Sequence, residues 1–186
     1  MWQVGADLCG PAAPKPNPMA ETLNLDFAAP RAARYRELLP QLRALIESEP
    51  DPIANAANLM AALRQGFGFF WVGVYYVRTG ASGPELVLGP FQGPIACTRI
   101  AYGRGVCGAA WAQARTLVVP DVEQFPGHIA CSSESKSEIV VPLLLNGQVV
   151  GVLDVDSDRL DDFNVGVDQP PLEEVAALLA RYGVPG

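Results

Sequence analysis

The sequence has a single histidine, no apolar run long enough to cross a bilayer and no cluster of basic residues. Each absence narrows what the chain can do. Apolar runs such as Ile139–Leu145 fall far short of the roughly 20 residues that a membrane-spanning helix needs. Met1–Gly10 lacks the basic start and leucine-rich stretch of a secretory leader, so the expectation is a cytoplasmic chain with no membrane partner. Lys and Arg number 13 against 20 Asp and Glu, for a formal net charge of −7. With no basic stripe to meet phosphates, nucleic acid is excluded as an expected partner. Close Cys-x2–4-Cys pairs, the usual signature of structural zinc, are also missing.

What is present describes an ordinary globular protein. A chain of 186 residues, 49% hydrophobic and 18% charged, has enough apolar mass for one core. Residues 1–20 are rich in Pro, Ala and Gly without periodicity and read as a disordered tail, and Met19 could equally be the start of translation. The expected division is an irregular N-terminal tail over 1–29 and one domain over 30–183. Leu38, Leu39, Leu42, Leu45 and Ile46 recur at helical spacing between Pro30 and Glu49, with Pro40 expected to kink that helix or open a new one. Asp51-Pro52 reads as the cap and first turn of a second helix running to about Gln65.

The period then changes. Phe69–Val77 is aromatic and β-branched, hence a strand, followed by a turn at Gly80–Pro84 and a returning strand from Glu85. Cys97–Ile100 reads as a short strand, Val106–Arg115 as a helix and Thr116–Val119 as a strand stopped by Pro120. Phe125–Ser137 is a polar loop. Glu138–Leu145 and Gln148–Asp156 are strands joined through Asn146-Gly147, a hairpin signal. Leu172–Tyr182 closes the domain as a helix with Gly183 as its cap. Helices at both ends of a mostly antiparallel sheet define an α+β fold, with the terminal helices expected on one face.

Four cysteines in a cytosolic chain are not a disulfide framework, so they are buried hydrophobes, metal ligands or reactive thiols. Cys9 lies in the tail without an obvious partner. His128 could complete a zinc set with Cys97, Cys107 and Cys131, but only His128 and Cys131 have suitable spacing. Cys131 sits in the loop-like GHIACSSES and Cys97 follows Gly93-Pro94, which argues against simple burial of either. Cys107 begins an apolar helix and fits the packed role best.

Carboxylates and aromatics supply two further patterns. In Asp154-Val155-Asp156 the alternation of a strand puts both aspartates on one face, where like charges resist joint ionisation and one carboxyl keeps its proton. The same pair also fits a solvated strand end. Trp71 and Tyr75 share one strand face with Gly73 and suit either a core or a ligand pocket.

The motifs GPFQG, ACTRI, GRGVCG, VPDV, FPGHIAC and SEIVVP occur together and in one order. With the FWVGVYY strand and the two preceding helices, they closely resemble the free methionine-(R)-sulfoxide reductases, a family of GAF fold, over roughly residues 30–183. Ala101 stands where that family's pattern has proline, the turn at Thr79–Pro84 is longer, and residues 158–171 diverge. The resemblance implies that Cys131 is the nucleophile, Cys97 the resolving cysteine and Cys107 an auxiliary one. It assigns Glu138, Asp154 and Asp156 to the active-site carboxylates and Trp71 to the pocket. Tyr75 joins Trp71 as an expected substrate contact. It further implies reduction of free methionine (R)-sulfoxide with no cofactor and no metal, recycling by thioredoxin, and a homodimer.

In that chemistry a thiolate attacks the sulfoxide sulfur and a neutral carboxylic acid, Glu138 or Asp156, protonates the departing oxygen. The sulfenic acid left on Cys131 condenses with Cys97 to a disulfide, and an external dithiol restores both thiols. A GAF module that senses a small ligand without catalysis is the rival reading, and a zinc-stabilised interaction domain a second. A shared acid cluster also constrains the hairpin. A strictly paired two-residue turn would face Glu138 away from both aspartates. The expectation is therefore a three-residue loop, Leu145-Asn146-Gly147, with a bulge at Gly147 that pairs Leu144 with Gln148 and Glu138 with Asp154.

Overall fold

Leu38, Leu42 and Ile46 recur every four residues and each is fully buried, so one side of Arg31–Glu47 is committed to the core. In the computed structural model, which describes residues 22–81, 83–128 and 133–185, these residues form a single helix, α1. The helix neither restarts nor ends at Pro40. That proline removes one backbone donor, but the buried Leu38 and Leu42 on either side hold both flanking turns to the core. Helix α2 (Pro52–Phe67) starts as the sequence predicts. Asp51 Oδ1 accepts the Ile53 and Ala54 N–H groups at 2.8 and 2.9 Å, with proline in the first turn. Residues 22–29 form neither helix nor strand, yet Leu23 and Leu25 pack on this core. The proposed tail over 1–20, with Cys9, lies outside the described residues.

Six strands follow: β1 (Trp71–Gly80), β2 (Gly83–Gln92), β3 (Arg99–Ala101), β4 (Leu117–Val119), β5 (Ser137–Leu145) and β6 (Gln148–Ser157). Helix α3 (Gly105–Gln113) comes between β3 and β4, and α4 (Gln169–Tyr182) closes the chain. The strands form one sheet in the order β3-β2-β1-β6-β5-β4, and every adjacent pair is antiparallel. Cys97 precedes β3 rather than opening it, so the expected Cys97–Ile100 strand is displaced toward Ala101.

The alternation of the central strands sorts the core into two halves. Val72, Val74, Ile139, Val141, Leu153 and Val155 face α1, α2 and α4 and form the larger cluster. Trp71, Tyr75, Val140 and Val152 point the other way and pack with α3 and the loop before β3. The architecture is therefore α+β, with both terminal helices on one face as expected. The opposite face is only partly covered.

The β5–β6 hairpin corrects one expectation. Leu145 pairs with Gln148, so the turn is the two-residue Asn146-Gly147, with positive φ of 52° and 80° as a tight hairpin turn requires. Parity is restored two pairs further on. Leu144 pairs with Val149 but Leu143 pairs with Gly151, which leaves Val150 as an extra residue in a β-bulge. Glu138 then falls opposite Asp156, not Asp154.

Candidate active site

Two rows of side chains run across the sheet on the half-covered face. In the first, Trp71 of β1, Asp156 of β6 and Glu138 of β5 are paired neighbours. In the second, Gly73, Asp154 and Val140 are. Two adjacent rows on one face thus gather three carboxyl groups beside an indole. Helix α3 closes them from above and brings the buried Cys107 Sγ to 3.9 Å from Glu138 Oε1. The Ser135 hydroxyl donates to Asp156 Oδ1. Asp154 Oδ1 is buried with no hydrogen-bond partner among the described residues.

These groups line a cavity with about 50 Å³ of free space, walled on one side by Pro94, Ile95 and Ala96 of the loop before β3. Glu138 is 6% exposed and Asp154 7%, so the charges have little access to water. Burial, reinforced by the Asp154 and Asp156 charges, lifts the Glu138 carboxyl well above the usual range. Burial also lifts Asp156, against the opposing hydrogen bond from Ser135. Asp154 is pushed up to about 6, again by burial, with its hydrogen bonds to Cys107 and Glu138 working the other way. Burial and the Asp154 charge hold the Cys107 sulfur as a thiol. Glu138 and Asp156 are consequently biased toward their protonated forms, an arrangement suited to proton donation.

Trp71, Tyr75, Cys107, Glu138, Asp154 and Asp156 all line this one cavity. Cys97 packs against the same half of the core and is disulfide-bonded, and its neighbour Ala96 lines the cavity. Cys131 itself lies outside them. His128 lines the cavity too, with burial depressing its basicity. Among the described residues, the grouping with metal-ligand chemistry is Cys107, Glu138 and Asp154, whose donor atoms lie within 4.8 Å of one another, and His128 is not in it.

Trp71 and Tyr75 share one feature. Both rings line the cavity, but their polar atoms are engaged by backbone. Trp71 Nε1–H donates to Pro94 O at 3.1 Å, and the Tyr75 hydroxyl donates to Cys97 O at 3.0 Å. Sequence reasoning missed Ser135 and Arg104, which also line the cavity. Ser135 was hidden among the serines of a polar loop. Arg104 stands directly before the GVCG that opens α3, where a basic residue carries no spacing signal.

The GAF domain family matches residues 51–181 of this chain. Among curated relatives, GAF domain-containing protein A of Dictyostelium discoideum is 56% identical over 87% of this chain and 99% of its own length. The free methionine-R-sulfoxide reductase of Escherichia coli is 41% identical over 79% of this chain and 87% of its own. Among solved structures, the free methionine-R-sulfoxide reductase of Neisseria meningitidis in complex with its substrate has a TM-score of 0.81 and 52% identity, covering 87% of this chain and 96% of that one. The chain belongs to the GAF-domain family, in the group of the free methionine-R-sulfoxide reductases.

Proposed function

We propose that this protein reduces free methionine (R)-sulfoxide to methionine with Cys131 as the nucleophile. The observation that carries the reading is the buried cluster of Glu138, Asp154 and Asp156, set beneath the Trp71 indole and beside Cys107. Cys131 sulfur attacks the sulfoxide sulfur, and the S–O bond breaks as the oxygen passes to Cys131. Glu138 or Asp156, kept protonated by burial, donates to that oxygen as its negative charge grows. Methionine leaves, and Cys131 is a sulfenic acid. The Cys97 thiol then attacks it, forming an S–S bond and releasing the hydroxyl as water with the thiol proton. Thioredoxin reduces the disulfide by dithiol exchange.

The substrate's charge pattern fits the site. A free amino acid carries an ammonium group, and the unpartnered Asp154 Oδ1 is a buried acceptor for it. A peptide-bound methionine sulfoxide has no such group and brings chain on both sides. The Trp71 face suits the S-methyl group through sulfur–aromatic contact. Cys107 stays a neutral thiol beside Glu138 and plays the auxiliary part. The enzyme works in the cytoplasm as a homodimer.

The test is thioredoxin-coupled consumption of reductant with each epimer of the free sulfoxide and with a sulfoxide-containing peptide. Turnover of the free R epimer alone is expected. Cys131→Ser abolishes it, whereas Cys97→Ser yields about one equivalent of methionine and stalls. Undiminished multiple turnover by Cys131→Ser would remove the mechanism.

A further inference from the structure

Gly93–Thr98, the segment that carries Cys97, has no helix or strand of its own to hold it. Ile95 at its crest is 92% exposed. Hydrogen bonds tie it to the sheet. Trp71 Nε1–H holds Pro94 O at 3.1 Å, the Tyr75 hydroxyl holds Cys97 O at 3.0 Å, and the Leu88 N–H holds Thr98 O at 3.1 Å. The middle tie is a side-chain hydrogen bond to the cysteine residue itself, and it comes from a ring stacked on Trp71 at 6.0 Å.

We propose that Tyr75 is a positioning residue for disulfide closure: its hydroxyl fixes the Cys97 backbone so that the Cys97 sulfur is presented to the sulfenic acid on the nucleophile. The proposal rests on the reading of Cys97 as the resolving thiol. Attack on sulfenic sulfur demands alignment of both sulfurs along the breaking S–O bond, and misplacement by about 1 Å can cost about 10²-fold. A loop anchored only at its ends samples many orientations of the thiol. Anchoring the carbonyl of the reactive residue removes the nearest backbone freedom. The hydroxyl is suited to the task because burial, aided by the Asp154 charge, keeps it protonated and therefore a donor. Its role is thus distinct from substrate binding, although its ring walls the cavity.

The experiment separates closure from sulfoxide reduction in Tyr75→Phe, which keeps the stacked ring and deletes the hydroxyl. Reduced protein is mixed with one equivalent of free methionine (R)-sulfoxide. Methionine formation and disulfide closure are followed together by quenching with a maleimide and weighing the protein. A parallel arm replaces the sulfoxide with hydrogen peroxide, whose O–O bond is cleaved by the nucleophilic thiolate to give the same sulfenic acid and water. Closure is expected to slow by about tenfold or more in both arms, with dimedone now trapping the sulfenic acid. Methionine formation is expected to slow much less.

Unchanged closure in Tyr75→Phe overturns the proposal, as does an equal loss in both steps, which would place the hydroxyl on the substrate. Trp71→Phe, which loses the Pro94 tie and keeps an aromatic ring, guards against a folding failure of the first variant. It should slow closure in the peroxide arm, and normal closure in it overturns the loop-anchoring argument. Absence of methionine from the unaltered protein would sink the reductase reading, while the peroxide arm still measures closure at Cys97.

Discussion

Gly73 lies directly beneath the indole of Trp71. A Cβ at Gly73 would stand 2.6 Å from Phe91 Cβ and 2.7 Å from Trp71 Cζ3, with another indole carbon closer still. The absent side chain is what lets the ring lie flat along β1, stacked on Phe91 at 5.5 Å. Gly73→Ala should therefore tilt the indole out of the cavity and destabilise the fold by about 1–3 kcal/mol through overpacking. The KM for free sulfoxide should rise more than kcat falls. Steady-state kinetics and urea unfolding check both, and an unchanged KM would mean that Trp71 does not form the pocket wall.

Glu138→Gln keeps the size of the side chain and removes its acidic proton. Turnover of the free sulfoxide is expected to fall by about 10²–10⁴-fold, with much less effect on KM. If Asp156 is the proton donor instead, Asp156→Asn will carry that loss and Glu138→Gln will not. Parallel kcat measurements on the two variants assign the acid.

Asp154 links the site to stability. Its carboxyl is pushed from 3.8 to about 6 in the folded protein, so the native state holds a proton that the unfolded chain has already released. This favourable contribution is complete below about pH 4 and is lost as pH rises through 6, amounting in full to about 3 kcal/mol. Asp154→Asn does not titrate. Its stability relative to the parent should therefore rise by about 2 kcal/mol between pH 4.5 and pH 7.5, as measured by urea unfolding at each pH. Relief of Glu138 and Asp156 from the Asp154 charge acts in the same direction. A pH-independent difference would place the carboxyl in water.

The far side of the molecule provides a contrasting case. Asp168 is 1% exposed and accepts from the Tyr35 hydroxyl and Arg31 Nε, each at 3.0 Å, and from the Asn164 N–H at 2.8 Å. It binds the start of α4 to α1. Asp168→Ala leaves Arg31 and Tyr35 short of a partner and should cost about 3–5 kcal/mol. Activity per folded molecule should stay unchanged, because no member of this network touches the cavity. Loss of kcat without loss of melting temperature would contradict that separation.

Much of this arrangement is legible in the sequence because it depends on periodicity. Four-residue spacing of Leu38, Leu42 and Ile46 gives α1, and alternation in Asp154-Val155-Asp156 puts two acids on one face. The register is harder. A bulged three-residue loop and a two-residue turn with a bulge at Val150 give the same facing, so parity alone cannot choose between them. Pro40 is similar: its local cost is visible in the sequence, but the packing that carries one helix through it is not. The hydrogen bond from Tyr75 to Cys97 O spans 22 residues and ends on a backbone atom, which no residue type can announce.

The pairing of Glu138 with Asp156 makes the hairpin sensitive to length in a way that it is not sensitive to identity. Replacing Val150 by another residue leaves the count of positions intact, and with it the facing of every residue between Leu143 and Ser137. Removing Val150 itself would only make the pairing regular and keep Glu138 opposite Asp156, but removing one codon beyond it, such as Val152, would shift β6 by one against β5 and rotate the mismatch onto the acids. Either Glu138 would enter the greasy layer under α4, or Asp154 and Asp156 would. Gene variants of this hairpin can thus drift freely in spelling, while in-frame deletions of a single residue between the bulge and the acids are the lesion its carboxylate face cannot absorb.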